Sequence, residues 1–403
     1  MSPFTVDHVL DGTRGRTGTL TTPHGTVATP AFVPVGTAAT VKALVPEQVE
    51  ALGAQTVLAN AYHLYLRPGA DVVEEAGGLG AFMGWRGPTF TDSGGFQVMS
   101  LGAGFRKVLS MDAGSVAAAD VVAAEKERLA HVDDDGVTFT SHLDGGSHRF
   151  TPEVSMRIQH QLGADVIFCF DELTTLVDPY PYQEQAVART QAWAARCLDE
   201  HRRLTAAHPD RPRQALFGVV QGAQHEDLRR RAARDLVALE RDGQGFDGFG
   251  VGGAIEKDRL GEIVGWVTDE LPDDRPRHLL GIGEPDDLFA AVEAGADTFD
   301  CVGPSRTARR SRVYTADGRE NLLVAANRRA FRPLEDDCDC YTCGTFTRAY
   351  LHHLFKAREH LAATLTTIHN ERFVVRLVDR IRTSIADGTY RDLRDETLAR
   401  YYA

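Results

Sequence analysis

Residues 297 to 312 read Asp297-Thr298-Phe299-Asp300-Cys301-Val302-Gly303-Pro304-Ser305-Arg306-Thr307-Ala308-Arg309-Arg310-Ser311-Arg312. A short apolar strand ends in a carboxylate, Asp300, and a turn bearing Arg306, Arg309, Arg310 and Arg312 follows at once. An acid held at a strand end beside a row of cations has the makings of a nucleophile or base next to a polyanion site. Taken alone, the stretch fits a strand cap and a solvated basic loop equally well, so its meaning depends on whether the pattern recurs.

It recurs. Short β-branched or aromatic runs lie at Ala31 to Val35, Thr56 to Asn60, Thr89 to Thr91, Asp165 to Phe170, Ala215 to Gln221, Gly248 to Gly252, His278 to Ile282 and Thr298 to Cys301. Helical patterns alternate with them, at Pro46 to Leu52, Pro152 to Leu162, Tyr182 to Ala206, Glu226 to Leu239, Leu260 to Glu270 and Pro285 to Glu293. Eight such units predict an α/β fold, a closed (β/α)8 TIM barrel of parallel strands with crossover helices. The alternative is an open doubly wound sheet, but no Gly-x-Gly-x-x-Gly follows the first run, so a dinucleotide site has no support. The opening Phe4 to Val33, rich in Thr and Gly, predicts an N-terminal antiparallel cap, and Thr138 to Phe150 predicts a hairpin.

In a barrel, residues just after the strands converge on one mouth, where such barrels carry their chemistry. Here those residues are Asn60, Asp92-Ser93-Gly94-Gly95-Phe96-Gln97, Asp171-Glu172, Gln221-Gly222, Gly252-Gly253, Gly283 and Asp300. Three carboxylates, Asp92, Asp171 and Asp300, would then share a pocket, and like charges held close force their pKa values apart: one stays an ionised nucleophile while another carries a proton as acid. Gly94, Gly95, Gly252 and Gly253 would let a flat ligand approach the backbone, and Phe96 could stack on it. Singly, each glycine reads as a turn and Phe96 as core; the joint pattern at strand ends is what points to a site. Asp144, in an Asp-Gly-Gly sequence, is read as an ordinary turn residue in preference to a rival acid.

The bulk composition agrees with a soluble globular protein: 403 residues, 43% hydrophobic and 25% charged. There is no basic-then-apolar leader in Met1 to Leu10 and no stretch approaching a membrane span, which points to the cytoplasm. A net charge of −13 argues against indiscriminate coating of nucleic acid but leaves room for a local basic face. Of six cysteines, Cys338, Cys340 and Cys343 lie within six residues, a spacing suited to three thiolates on one ion. Tetrahedral zinc needs a fourth N or S ligand, for which His352, His353, His360 and His369 are all within reach in sequence. Four protein ligands leave no open position for water, so the expected zinc, one per chain, is structural. The segment from His352 to Arg382 has a helical pattern that would pack this module on the barrel. The expected division is therefore a catalytic barrel with its cap over residues 1–330 and a zinc-binding helical subdomain over 331–403.

Together these residues resemble a family, the bacterial-type tRNA-guanine transglycosylases (queuine tRNA-ribosyltransferases). The resemblance rests on the Asn-Ala-Tyr-His-Leu-Tyr-Leu-Arg-Pro-Gly of 60–69, the Asp-Ser-Gly-Gly-Phe-Gln-Val of 92–98 and the Ser-His-Leu-Asp-Gly of 141–145. Phe170-Asp171-Glu172, Val219-Val220-Gln221-Gly222, Phe299-Asp300-Cys301-Val302 and the Cys/Cys/Cys/His set complete it, over nearly the whole chain. It implies exchange of the wobble guanine of tRNAs with G-U-N anticodons for a 7-substituted 7-deazaguanine, either aminomethyl-deazaguanine (preQ1) or queuine, on the route to queuosine. By the family's motifs, Asp300 would be the nucleophile on C1′ of the ribose and Asp92 the general acid/base. Asp171, Gln221, Gly252 and Gly253 would bind the base, Phe96 and Leu280 would sandwich it, and Ser93 and Asn60 would support Asp92. Arg306, Arg309 and Arg312 would hold the tRNA, zinc would sit on Cys338, Cys340, Cys343 and His369, and a homodimer is expected.

The chemistry agrees, since one carboxylate attacking an anomeric carbon while another serves as acid and then base is the logic of retaining glycosyl transfer. Two departures stand out. Gly102 to Asp135 holds an Ala/Asp/Glu-rich insert beyond the family's usual pattern, expected to be a surface helix. The usual Gly-Gly-Leu-(Ala/Ser)-Val-Gly-Glu is here Gly252-Gly253-Ala254-Ile255-Glu256-Lys257, with the glutamate two positions early, which leaves both incoming bases open. Two rival readings are a catalytically silent tRNA-binding partner subunit, against which the presence of both Asp92 and Asp300 argues, and a barrel glycoside hydrolase, which needs neither a zinc cluster nor an Arg ladder.

Overall fold

The computed structural model describes residues 3–102, 130–141 and 143–403, with backbone alone for 100–102. Eight strands form one parallel sheet: β1 (Ala31–Pro34), β2 (Val57–Ala59), β3 (Thr89–Thr91), β4 (Val166–Phe168), β5 (Ala215–Val220), β6 (Gly248–Val251), β7 (Arg277–Leu279) and β8 (Thr298–Cys301). Their order around the sheet is β1-β8-β7-β6-β5-β4-β3-β2. The sheet closes on itself where Val35, just past β1, bridges in parallel to Leu58 of β2, with Gly36 N donating to Leu58 O at 2.6 Å. The protein is thus a (β/α)8 barrel. Seven of the eight strands lie within the expected runs and β7 starts one residue before its run, and the agreement has a physical reason: every residue of β5 and β6 is buried, as helices outside and side chains inside demand, so such strands read as unbroken apolar runs.

The helices follow from local signals as well. Pro152–Leu162 starts with Thr151, whose hydroxyl accepts from Val154 N, and Pro152 in the first turn; it stops at Gly163 in the left-handed region at φ +68°. Its buried stripe of Ser155, Met156, Ile158, Gln159 and Leu162 packs between the sheet and the long helix Tyr180–Ala207.

Three antiparallel strands, Phe4–Val9, Arg16–Thr22 and Gly25–Thr29, form the cap. Phe4, Leu20 and Val27 share one buried cluster with Ala31, Phe90, Val166, Phe168, Ala215 and Phe217, so the cap plugs the barrel interior. Asp297, the first residue of the opening stretch, locks this joint. Both of its oxygens accept from buried Arg16, at 2.9 and 2.8 Å, and one also accepts from Arg277 N at 2.7 Å.

Three expectations change in detail. The Arg-bearing segment after Asp300 forms a short helix, Gly303–Ala308, before the strand Arg312–Thr315, because Pro304 at its first turn suits helix initiation as well as a turn. The C-terminal helical pattern divides into Arg348–Ala357 and His360–Ala386, with Arg358 left-handed at φ 60° between them and its N–H, like that of Glu359, turned back on Leu354 O. Of the insert expected as a surface helix, residues 103–129 lie outside the described residues. Its end is a strand, Ala130–Asp133, pairing with Gly136–Thr140 and then Ser147–Phe150, so the expected hairpin is part of a three-stranded sheet. Asp144 sits exposed at its turn, accepting from Gly146 N, as expected; His142 lies outside the described residues. No helix among the described residues is long and apolar enough to cross a membrane.

Candidate active site and metal centre

β3 ends at Thr91, and the next residue, Asp92, is buried with three donors upon it. Asn60 Nδ2 at 2.6 Å and Gln97 Nε2 at 2.8 Å reach one oxygen, and Ala61 N at 2.7 Å reaches the other. Asn60 and Ala61 follow β2, and Gln97 lies on the helix Gly95–Gly102, so two neighbouring strand ends build this one carboxylate site. Burial still holds the Asp92 carboxyl above the usual carboxylate range against those donors, and the charge of Asp300 adds to the rise.

Asp171 follows β4. It accepts from Ser93 Oγ at 3.0 Å and from Gln221 Nε2 at 2.6 Å, Gln221 standing just past β5. Burial pushes its carboxyl up to about 6, with the charge of Asp92 acting in the same direction. Gln221 is itself 1% exposed, and its Oε1, like that of Gln97, has no partner among the described residues. A buried acceptor is costly to leave unmade, so these carbonyls call for a ligand that carries N–H donors. Across from them, Gly253 has φ +85°, and a Cβ there would stand 2.4 Å from Gln221 Oε1. Only glycine lets the β6 loop come so close.

Asp300 lies in β8, its side chain 14% exposed. Its Oδ1 accepts from His278 Nε2 at 3.0 Å and from Gly281 N at 3.1 Å. Leu280, half-buried, follows β7, while Phe96 at the start of its helix is 50% exposed among the described residues. The sequence-derived residues Asn60, Asp92, Ser93, Phe96, Asp171, Gln221, Gly252, Gly253, Leu280 and Asp300 therefore all stand at the ends of the barrel strands.

The sequence reading assigned no role to three further residues. Gln97 was visible in a motif, one helical turn from Ser93. His278 carried a positional signal: it pairs with Thr298 in the β7–β8 register, so Leu280 and Asp300, two residues on from each, share its face. Arg229 carried none, because its role is long-range: fully buried, it donates to Ala223 O at 2.8 Å, Val220 O at 2.9 Å and Gly252 O at 2.7 Å, tying the ends of β5 and β6 together behind the glycines.

Beside Asp300, the helix Gly303–Ala308 presents Arg306 to solvent, and Arg310 and Arg312 follow it, also exposed; none of the three forms an ion pair among the described residues. Arg310 and Arg312 line a cleft of about 410 Å³ together with Thr307 and Arg319, the last paired with Glu284. Arg309 is half-buried and donates to Ser305 O at 2.8 Å, so it braces the helix, and only part of its guanidinium faces outward.

Cys338, Cys340, Cys343 and His369 are all buried, with their ligand atoms within 4.8 Å of one another. His369 Nε2 donates to Tyr314 O at 2.7 Å, which leaves Nδ1 as the lone-pair atom facing the three sulfurs. Of the four histidines open in sequence, His352 instead has its Nδ1 on Leu322 O at 2.8 Å. The donor set fits a metal ion. Asn370, the next residue, accepts from Tyr314 N and donates to Pro304 O and Arg312 O, so one helix joins the metal centre to the arginine segment.

The sequence pattern of the queuine tRNA-ribosyltransferases matches residues 11–403. The chain is 46% identical over 388 residues to the queuine tRNA-ribosyltransferase of Symbiobacterium thermophilum, covering 96% of this chain and 88% of that protein. It is 45% identical over 402 residues to that of Moorella thermoacetica (99% and 97%) and 41% identical over 389 residues to that of Bacillus subtilis (96% and 93%). With barrel, strand-end carboxylates and Cys3His cluster in agreement, the chain belongs to the queuine tRNA-ribosyltransferase family, a family of transglycosylase enzymes.

Proposed function

We propose that this enzyme exchanges guanine at the wobble position of tRNAs with G-U-N anticodons for a 7-substituted 7-deazaguanine, preQ1 or queuine, through a covalent Asp300–ribosyl intermediate. The observation that carries this reading is the pairing of Asp300, a carboxylate whose Oδ2 has no partner among the described residues, with Asp92, a buried carboxyl held above the usual carboxylate range, beside acceptors that lack donors among the described residues. Asp300 attacks C1′ of the ribose; the glycosidic bond breaks with its electron pair going to guanine, which takes a proton from Asp92. The incoming base then returns its ring-nitrogen proton to Asp92 and displaces Asp300 from C1′. Asn60, Ala61 and Gln97 hold Asp92 in place for both proton transfers.

The flipped-out base lies between Phe96 and Leu280, with its N–H groups on Asp171 and Gln221 and its edge against Gly252 and Gly253. Ser93 orients Asp171 directly and Asp92 by adjacency. Arg306, Arg309 and Arg312 hold the anticodon arm. The glutamate that arrives early, Glu256, is engaged by Arg259 at 3.3 Å, and Lys257 by Asp286 at 3.1 Å, which ties the charges of this segment within the protein. Zinc on Cys338, Cys340, Cys343 and His369 would supply cross-linking alone, since four protein ligands leave no open position. We take 1–330 as the catalytic unit and 331–403 as the zinc-binding unit of a cytoplasmic homodimer; the exposed Phe331, Tyr341 and Tyr350 in the latter support the dimer.

The test is release of labelled guanine from the wobble position of a G-U-N tRNA, with preQ1 and queuine offered separately. Release by the wild type and not by Asp300→Asn is expected. No release with either base from folded, metal-loaded protein would favour the silent tRNA-binding subunit instead.

A further inference from the structure

His278 is 0% exposed and uses both ring nitrogens: Nε2 faces Asp300 Oδ1 at 3.0 Å and Nδ1 faces Thr298 Oγ1 at 2.8 Å. An ionised carboxylate has no proton to offer, so Nε2 carries the hydrogen and donates. The rings of Phe90 and Phe168 pack beside the imidazole, with centroids 5.7 and 5.2 Å away, and hold its plane. The N–H of Gly281 donates to the same Oδ1 at 3.1 Å. Two donors therefore converge on one oxygen of Asp300, while Oδ2 has no partner among the described residues.

We infer that His278 is a positioning residue for the exchange reaction, tethering Oδ1 of Asp300, with Gly281 N, so that Oδ2 is the atom that attacks the ribose. The inference rests on the reading of Asp300 as nucleophile. A lone pair of Oδ2 forms the bond to C1′ as the C1′–N bond breaks toward the base, which is protonated by Asp92. Oδ1 then becomes the carbonyl oxygen of the ribosyl ester. It accepts the same two hydrogen bonds before and after, so the donors need no rearrangement when the covalent bond forms or breaks. Thr298 serves at one remove: its hydroxyl on Nδ1 fixes which edge of the ring faces Asp300. Without the tether the carboxylate turns about its terminal bond, and the attacking oxygen loses its aim.

The experiment is single-turnover formation of the denaturation-resistant enzyme–tRNA complex with full-length, metal-loaded protein, accompanied by KM for tRNA and for preQ1. His278→Phe keeps the ring and removes the donor; it should slow complex formation at least tenfold with both KM values within threefold of wild type. His278→Gln restores an N–H donor and should recover most of the rate, which a merely space-filling role would not produce. Thr298→Val should slow the step two- to fivefold. A wild-type rate in His278→Phe, or changes confined to KM, would overturn the inference. If His278→Phe does not fold, Thr298→Val decides, a wild-type rate there overturning it. Asp300→Asn separates the two readings: turnover in that variant would remove the nucleophile assignment itself, whereas an inactive Asp300→Asn beside an unaffected His278→Phe would remove only the role of His278.

Discussion

At the scale of single residues, the pocket is built from groups whose comfort in the fold has been given up for chemistry. Asp171 is the clearest case. Burial raises its carboxyl to about 6 from an ordinary 3.8, so between those values the folded state holds a proton that the unfolded chain releases. The stability of the protonated form is fully present below about pH 4 and is lost as pH rises through 6, at up to about 1.4 kcal/mol per pH unit. Asp171→Asn cannot titrate. In the absence of base, its melting temperature should gain on that of wild type as pH rises from 4 to 7 and then hold a constant lead, while its KM for the base rises. A difference in melting temperature that is flat with pH would contradict this. Gly253 makes the steric counterpart: with φ +85° and Gln221 Oε1 only 2.4 Å from where a Cβ would stand, Gly253→Ala must displace the amide proposed to meet the base. KM for the base should increase about tenfold or more, corresponding to roughly 1–3 kcal/mol of strain and lost hydrogen bonding, with KM for tRNA nearly unchanged.

At the scale of elements, the long helix His360–Ala386 connects parts that look independent in sequence. Consecutive residues 369 and 370 hold the metal cluster on one side and, through Tyr314, Pro304 and Arg312, the arginine segment on the other. Stripping the metal with a chelator, or replacing Cys343 by Ser, should therefore lower the melting temperature by several degrees, on the order of 5–10 °C, and raise KM for tRNA well before KM for base. Equal effects on both, or on the base alone, would mean that the helix transmits nothing to that segment. The same helix shows what a sequence does and does not make legible. The eight strands could be read because burial on both faces forces an apolar run into each, and the strand-end acids and glycines could be read because they follow those runs. The break at Arg358 could not, since the chain takes a left-handed turn there with no Gly or Pro to announce it. Nor could Arg229, or the choice of His369 among four histidines on local grounds, because each is decided by elements that meet only in the folded barrel. His278 lay between these cases: its strand was read, but its partner is one strand away.

At the scale of the whole molecule, a body of net charge −13 must bind a polyanion. Many cations among the described residues are spent on ion pairs, as Arg230 with Glu226 and Glu270, or Arg196 with Glu153. Arg306, Arg310 and Arg312, exposed beside Asp300, are not paired among the described residues, so a local positive face stands out from an acidic background. The net negative charge disfavours RNA at long range, so affinity for the correct tRNA should come from a few contacts at the mouth. Each phosphate neutralised in a single-stranded loop contributes a slope of about −0.7 to log K against log salt, so three contacts give roughly −2. Removing Arg306 should flatten that slope by about 0.7 and weaken G-U-N tRNA binding several-fold at low salt, with little change above about 0.5 M. Arg230→Ala, on the far side of the charge balance, should leave the slope as it is. A slope near −6 for wild type, or one unchanged by Arg306→Ala, would mean that the tRNA is held by a broader surface than this segment.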